Sequence, residues 1–202
     1  ALTLNAVALY AAPMRITEQL FALSKQLINV FSPLFAEWNG ERSPERIRNA
    51  YLSCTRYALA LMSALIIPAV AFSRIGLSLW LGEQFAASGS ILCVLLAAAL
   101  FRVLQESSAN VLAMTGQHSF MARVAVAGAA ANVSLSLALV GAYGAMGVAV
   151  ATLASVATIG CFLATRQVCR TFEISASAFF RSVAFPTFAP CAAQAASLWL
   201  LI

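Results

Sequence analysis

Between Arg123 and Arg166 the chain runs through residues 124–165 without one charged side chain. A helix needs about 20 apolar residues to cross the hydrocarbon core of a bilayer, so this stretch is long enough for two crossings. At its middle lies Gly141-Ala-Tyr-Gly-Ala-Met-Gly147, a glycine cluster able to turn the chain sharply. The pattern predicts two spanning helices joined by a tight hairpin, and hence a protein that folds in lipid. Composition agrees: 62% of residues are hydrophobic and only 9% charged. Soluble domains carry about 25% charged residues, and there are too few polar side chains here to build a hydrated shell.

The same scarcity excludes several classes. The net charge of +5 comes from arginines set between apolar blocks, not gathered on one basic surface, so no nucleic-acid partner is expected. Five scattered cysteines (Cys54, Cys93, Cys161, Cys169 and Cys191) form no CxxC, and there is one histidine. Neither a zinc site nor a disulfide framework is indicated, and no metal or cofactor is expected. The cysteines read as small buried apolar residues. The chain contains no aspartate, which denies this portion metal-dependent sugar transfer or an aspartate nucleophile. It begins without methionine or a cleavable signal, and it ends within the apolar run Leu198-Trp-Leu-Leu-Ile202. We expect it to be a piece of a longer protein.

Six helical segments follow from the uncharged windows, at roughly 5–36, 50–73, 87–114, 119–140, 145–165 and 180–202. The expected fold class is all-α, a polytopic transmembrane bundle forming a single lobe over 1–202. Prolines 13, 33, 68, 186 and 190 fall within or at the ends of these segments, where neighbouring helices can satisfy freed carbonyls. Barrel strands are excluded, because the windows far exceed 9–11 residues and do not alternate. Ser43 followed by Pro44 and Glu45 predicts a capped amphipathic turn leading into the second segment. Small residues in the fourth and fifth segments, around Gly128 and over 147–155, permit close helix packing. Asn132 faces either a neighbouring helix or a cavity.

The first segment holds charges that lipid should not tolerate. Residues 1–14 and 26–36 are each too short to cross, so a crossing here must contain Arg15, Glu18 and Lys25. Arg15, Glu18, Ala22, Lys25 and Asn29 step by three and four, which places them on one helical face. A charge at the bilayer centre costs about 2.5–3.5 kcal/mol, so this stripe must face protein or a wet cavity. The alternatives are a helix lying flat on the membrane, or charges that pair with a missing half of the protein. Flat interfacial helices carry a broad cationic face, whereas this stripe is narrow and mixed in sign. Arg102, Glu106 and Asn110 repeat the pattern in the third segment at spacings of four. These are expected to line a polar cavity shared with the first segment, or to lie beyond a span that ends near residue 101. Arg102 and Glu106 are also spaced for a simple intrahelical ion pair.

Several short motifs resemble a known family. They are Tyr10-Ala-Ala-Pro-Met-Arg-Ile16, Pro33-Leu-Phe-Ala-Glu37 with the arginine-rich stretch after it, and Arg56-Tyr57. Leu79-Trp-Leu-Gly82 with Phe85, Asn110-Val-Leu-Ala-Met-Thr-Gly116 and Tyr143-Gly-Ala-Met-Gly147-Val-Ala continue the likeness. Together they resemble the later helices of the polysaccharide flippases, the O-antigen and exopolysaccharide translocases. That superfamily also holds the MATE-type exporters and the lipid II flippase. The likeness runs to about residue 166 and implies the second lobe of a two-lobe transporter of 12 to 14 helices. It implies a multi-pass protein of the bacterial inner membrane that moves an undecaprenyl-diphosphate-linked oligosaccharide by alternating access. The implied partners are that lipid-linked oligosaccharide, membrane lipids, and a polysaccharide polymerase with its assembly proteins.

On this reading Arg15, Lys25, Asn29, Arg102 and Asn110 are the substrate-binding candidates. Arginine offers phosphate a bidentate fork and lysine a point charge. Glu18 and Glu106 are the candidates for ion coupling, because burial and a nearby cation push a carboxylate's proton affinity in opposite directions. A MATE-type cation antiporter is the first alternative, though its pathway should favour acids. A non-catalytic part of a membrane polymerase or glycosyltransferase is the second. A structural membrane scaffold leaves the charged stripe without a purpose.

The connections set the orientation. The first, third and fifth connections, counted with the helix ends beside them (37–56, 115–123 and 166–181), hold eight arginines against one, Arg74, in the second and fourth. The positive-inside rule therefore puts the odd connections in the cytoplasm. Reporters fused near Arg46, His118 and Arg170 should read cytoplasm, and those near Gly82 and Tyr143 the opposite side. Positions 46 and 143 on one side would mean a helix count wrong by one.

Overall fold

The computed structural model describes residues 4–184 and Gln194. Among them every regular element is helical. The chain forms α1 (Leu4–Val30), α2 (Ser32–Gly40), α3 (Pro44–Ala71), α4 (Ser73–Leu81), a 3-10 turn (Glu83–Ser88) and α5 (Gly89–Met114). It continues through α6 (His118–Ser155), a π-helical turn (Val156–Cys161), α7 (Phe162–Thr171), α8 (Ala176–Phe179) and a second π turn (Phe180–Ala184). Among the described residues three runs are long and apolar enough to cross a membrane: Pro44–Ala71, Glu83–Met114 and His118–Thr171. The protein is an all-α bundle built for a membrane, and its outward surface matches. Leu79, Trp80, Val126 and Leu137 are all more than 70% exposed, as lipid-facing side chains should be.

The third run is 54 residues, and it doubles back. Gly144 takes φ +55° and ψ −135°, outside any helix. A straight helix would hold residues 20 apart at about 30 Å, yet Asn132 Nδ2 donates to Thr152 Oγ1 at 3.4 Å. A methyl carbon on Gly128 would touch the Ile159 side chain at 3.9 Å, and one on Gly147 would lie 2.5 Å from the Leu139 carbonyl oxygen. The glycine cluster therefore closes a helical hairpin whose two arms pack through small residues. Asn132 faces the partner arm.

A wedge of α1, α3 and α5 holds the main core. Phe21 and Ile28, with Phe35 of α2, meet Tyr51, Ala58 and Met62 of α3 and Leu96, Val103 and Val111 of α5. A polar node ties in α7: the hydroxyls of Tyr51 and Ser108 lie 2.9 Å apart, and those of Ser108 and Thr165 3.3 Å apart. The Tyr51 ring stacks on Phe179 of α8, which closes the bundle on that side.

Several boundaries differ from the sequence-based expectations. The segment expected at 5–36 breaks at Phe31, because Pro33 lacks the N–H a continuous helix requires. The connection expected at 74–86 folds into α4 and the 3-10 turn. Ser43 does precede α3, but its side chain makes no capping bond; its N–H is held by the Trp38 carbonyl at 3.0 Å. α1 is 27 residues long, yet its charges leave it outside the apolar runs given above. The segment expected at 180–202 lies mostly outside the described residues.

The hairpin generates a stability prediction. Gly144→Ala should destabilise the purified protein by about 1–3 kcal/mol, because a non-glycine residue is strained at that φ and ψ. Gly147→Ala should also destabilise, since its added carbon meets backbone. Gly141→Ala, with open space around it, should stay within about 0.5 kcal/mol of wild type. Unfolding by SDS titration from mixed micelles measures all three. Equal effects at 141 and 144 would remove Gly144 as the turn.

Candidate functional site

The buried face of α1 carries Thr17, Phe21, Ser24 and Ile28. The charged stripe sits one residue further along at Glu18, Ala22, Lys25 and Asn29, rotated by about 100° around the axis. That offset turns it towards the flank of α5. Glu18 Oε1 accepts from Arg102 Nη1 at 2.6 Å. Lys25 Nζ lies 2.8 Å from Glu106 Oε1. Below them Asn110 Nδ2 donates to Ser32 Oγ at 2.8 Å and to the Ile28 carbonyl at 3.3 Å. The Arg102 guanidinium also lies over the Phe21 ring, 4.3 Å from its centroid, a cation–π contact that strengthens where water is scarce.

These contacts rise along both helices together, so α1 and α5 run parallel, as two helices separated by one intervening span should. The ladder also separates the alternatives for the first segment. A helix lying flat on the surface would not meet α5 at three successive levels, and the charges of Glu18 and Lys25 pair inside this chain. The pairs are half-buried, with side-chain exposures of 47% for Lys25, 30% for Glu106, 31% for Arg102 and 38% for Glu18.

Arg15 and Asn29 stand apart. Both are exposed, and among the described residues Arg15 has no ion-pair partner. The seam thus contains three cations and two carboxylates, and the uncompensated charge is on Arg15. A polar cavity shared by the first and third segments is not what the described residues form. Their polar faces close on each other, because an acid and a base within reach satisfy one another at less cost than two separately hydrated charges in a membrane. Arg102 and Glu106 each pair across to α1, not with each other along α5.

The cavity lies on the other flank of α5. About 460 Å³ opens between α5, both arms of the hairpin and the π turn, lined by Arg102, Gln105, Gly128, Asn132, Ser155 and Gly160 among others. Asn132 therefore faces both a neighbouring helix and a cavity. The π turn widens the backbone at Val156–Cys161, and such turns within helices recur at functional sites. Nothing in the local sequence announces it. Gln105 packs directly against Gly160, where no larger residue fits unless the Gln105 side chain moves. Gln105 was visible in the sequence only as a polar neighbour of Arg102. No group of histidine, cysteine or acidic side chains able to hold a metal ion occurs among the described residues.

In comparison with known proteins, no family model, curated protein or solved structure matches the chain.

A double-mutant cycle tests the seam. Lys25→Glu and Glu106→Lys should each destabilise, and the exchanged pair should recover about 1–2 kcal/mol of the loss, the range of a charged hydrogen bond not fully buried. SDS unfolding of the four proteins measures it. Additive losses would mean that the ladder is incidental.

Proposed function

We propose that this chain is one lobe of a flippase in the bacterial inner membrane that translocates an undecaprenyl-diphosphate-linked oligosaccharide. One observation carries the reading: an exposed arginine, Arg15, on a helix packed into a membrane bundle, next to a ladder in which both carboxylates already have cations. A guanidinium with free donors in that setting suits a diphosphate, whose oxygens it can grip in bidentate fashion. Lys25 and Asn29 extend the same face of α1 and would follow the substrate along it. The resemblance of the short motifs to polysaccharide flippases supplies the substrate class and the two-lobe, six-span-per-lobe architecture. A polysaccharide polymerase and its assembly proteins would act downstream.

The MATE-type antiporter fits less well. Its pathway would call for carboxylates free to bind a cation, and Glu18 and Glu106 are both occupied by Arg102 and Lys25. Glu18 remains the candidate for ion coupling within the flippase, because protonating it would release Arg102.

Complementation of a flippase-null strain with the intact protein tests the proposal. Arg15→Ala should lower surface glycan about 10- to 100-fold, the loss expected when charge-assisted hydrogen bonds to phosphate are removed. Its level in the membrane should be unchanged. Arg15→Lys should recover part of the activity, since the charge stays but the fork is lost. Wild-type glycan from Arg15→Ala at normal expression would defeat the proposal.

A further inference from the structure

Arg102 belongs to two environments at once. One amino nitrogen, Nη1, is held by Glu18, and the side chain also lines the cavity between α5 and the hairpin. Its remaining N–H groups have no partner among the described residues. One helical turn along, Gln105 lines the same cavity, and its amide likewise has none there. The other polar groups in the wall are already committed. Asn132 donates to Thr152 and accepts from Ser136 at 3.1 Å, and Ser155 Oγ donates to the Thr152 carbonyl at 3.1 Å. The unused polar capacity of the wall is therefore the remaining N–H groups of Arg102 and the whole amide of Gln105, an NH2 donor with a carbonyl acceptor beside it.

The rest of the wall is apolar or small, with Val124, Ala125, Ala129, Val133 and Val156. A volume of about 460 Å³ lies within the range of small-molecule sites. A guanidinium with uncommitted N–H groups beside an amide NH2, set in apolar walls within membrane-crossing helices, suits a phosphoryl oxyanion carried on an apolar tail. We propose that this cavity is an oxyanion site for a phosphoryl headgroup, and that Arg102 divides itself between the bound oxyanion and Glu18. An oxyanion that draws Arg102 towards the hairpin weakens the uppermost rung between α1 and α5. Coupling of this kind is reciprocal, so loosening the rung must tighten the site by the same factor. The site is separate from Arg15 and needs only the membrane setting, not the flippase reading.

The test uses the purified protein in dodecylmaltoside, with binding followed by native mass spectrometry and by the thermal midpoint. Inorganic phosphate, short-chain phosphatidylglycerol and a short-chain polyprenyl phosphate are titrated separately. Saturable binding in any arm that falls at least tenfold in Gln105→Leu and in Ala129→Phe, which fills the cavity, supports the site. The arm that binds identifies the source as free phosphate, bulk lipid or a polyprenyl carrier. Val126→Phe, on the outward surface, should leave binding unchanged. Glu18→Gln should tighten binding by about tenfold, within the usual span of allosteric couplings. Absence of binding in all three arms would overturn the proposal, as would binding insensitive to both Gln105→Leu and Ala129→Phe. Unaltered affinity in Glu18→Gln would overturn the shared role of Arg102.

Discussion

A charged side chain cannot be left alone in hydrocarbon, and α1 brings three of them into the bundle. The structure answers this for two of them by pairing with α5, and leaves the third, Arg15, exposed. Glu18 takes Arg102 and Lys25 takes Glu106, while Asn110 secures the end of α1 through Ser32 and the Ile28 carbonyl. Until those partners are in place, α1 is too polar to sit among the apolar runs. Its entry into the bundle is conditional on α5, and the position of α1 fixes where the wedge with α3 can close.

The consequences extend outward from the seam. With one flank of α5 committed to α1, the opposite flank is left for the hairpin, and the space between them becomes the cavity. The hairpin arms come close because glycine and alanine line their contact, and the reversal is possible because Gly144 takes a backbone conformation that other residues avoid. Arg102 is the side chain on which both flanks meet. Its cation–π contact with Phe21 and its bond to Glu18 anchor it on one side, and the same side chain lines the cavity on the other.

Much of this was legible in the sequence, for a physical reason. Lipid makes charge placement so costly that a 42-residue uncharged run with central glycines has few interpretations, and the hairpin at Gly144 is one of them. The 3- and 4-residue steps of the polar stripes likewise assign faces. What periodicity does not encode is the partner. Arg102 and Glu106 are spaced to suit an intrahelical pair, a cavity lining or a cross-helix ladder equally well, and only the packing of α1 against α5 chooses. The cavity was less legible still. Its shape depends on a π turn at Val156–Cys161 and on Gly160 yielding space to Gln105, features of backbone winding that leave no charge or hydropathy signature. The broken end of the first segment was readable in principle from Pro33. The folding of 73–88 into short helices was not, because its glycines and single arginine read equally well as a loop.

The order of signs along the seam carries one more consequence. On α1 the acid precedes the base, Glu18 then Lys25; on α5 the base precedes the acid, Arg102 then Glu106. Sliding α5 by one helical turn in one direction would bring Glu106 opposite Glu18, and in the other it would bring Arg102 opposite Lys25. Either slip replaces attraction with repulsion between like charges in a medium that screens poorly. The seam therefore acts as a ratchet tooth as well as a clasp. The two helices can part or tilt as a pair, but they cannot glide past one another, and any working motion of this bundle must carry α1 and α5 together or separate them outright.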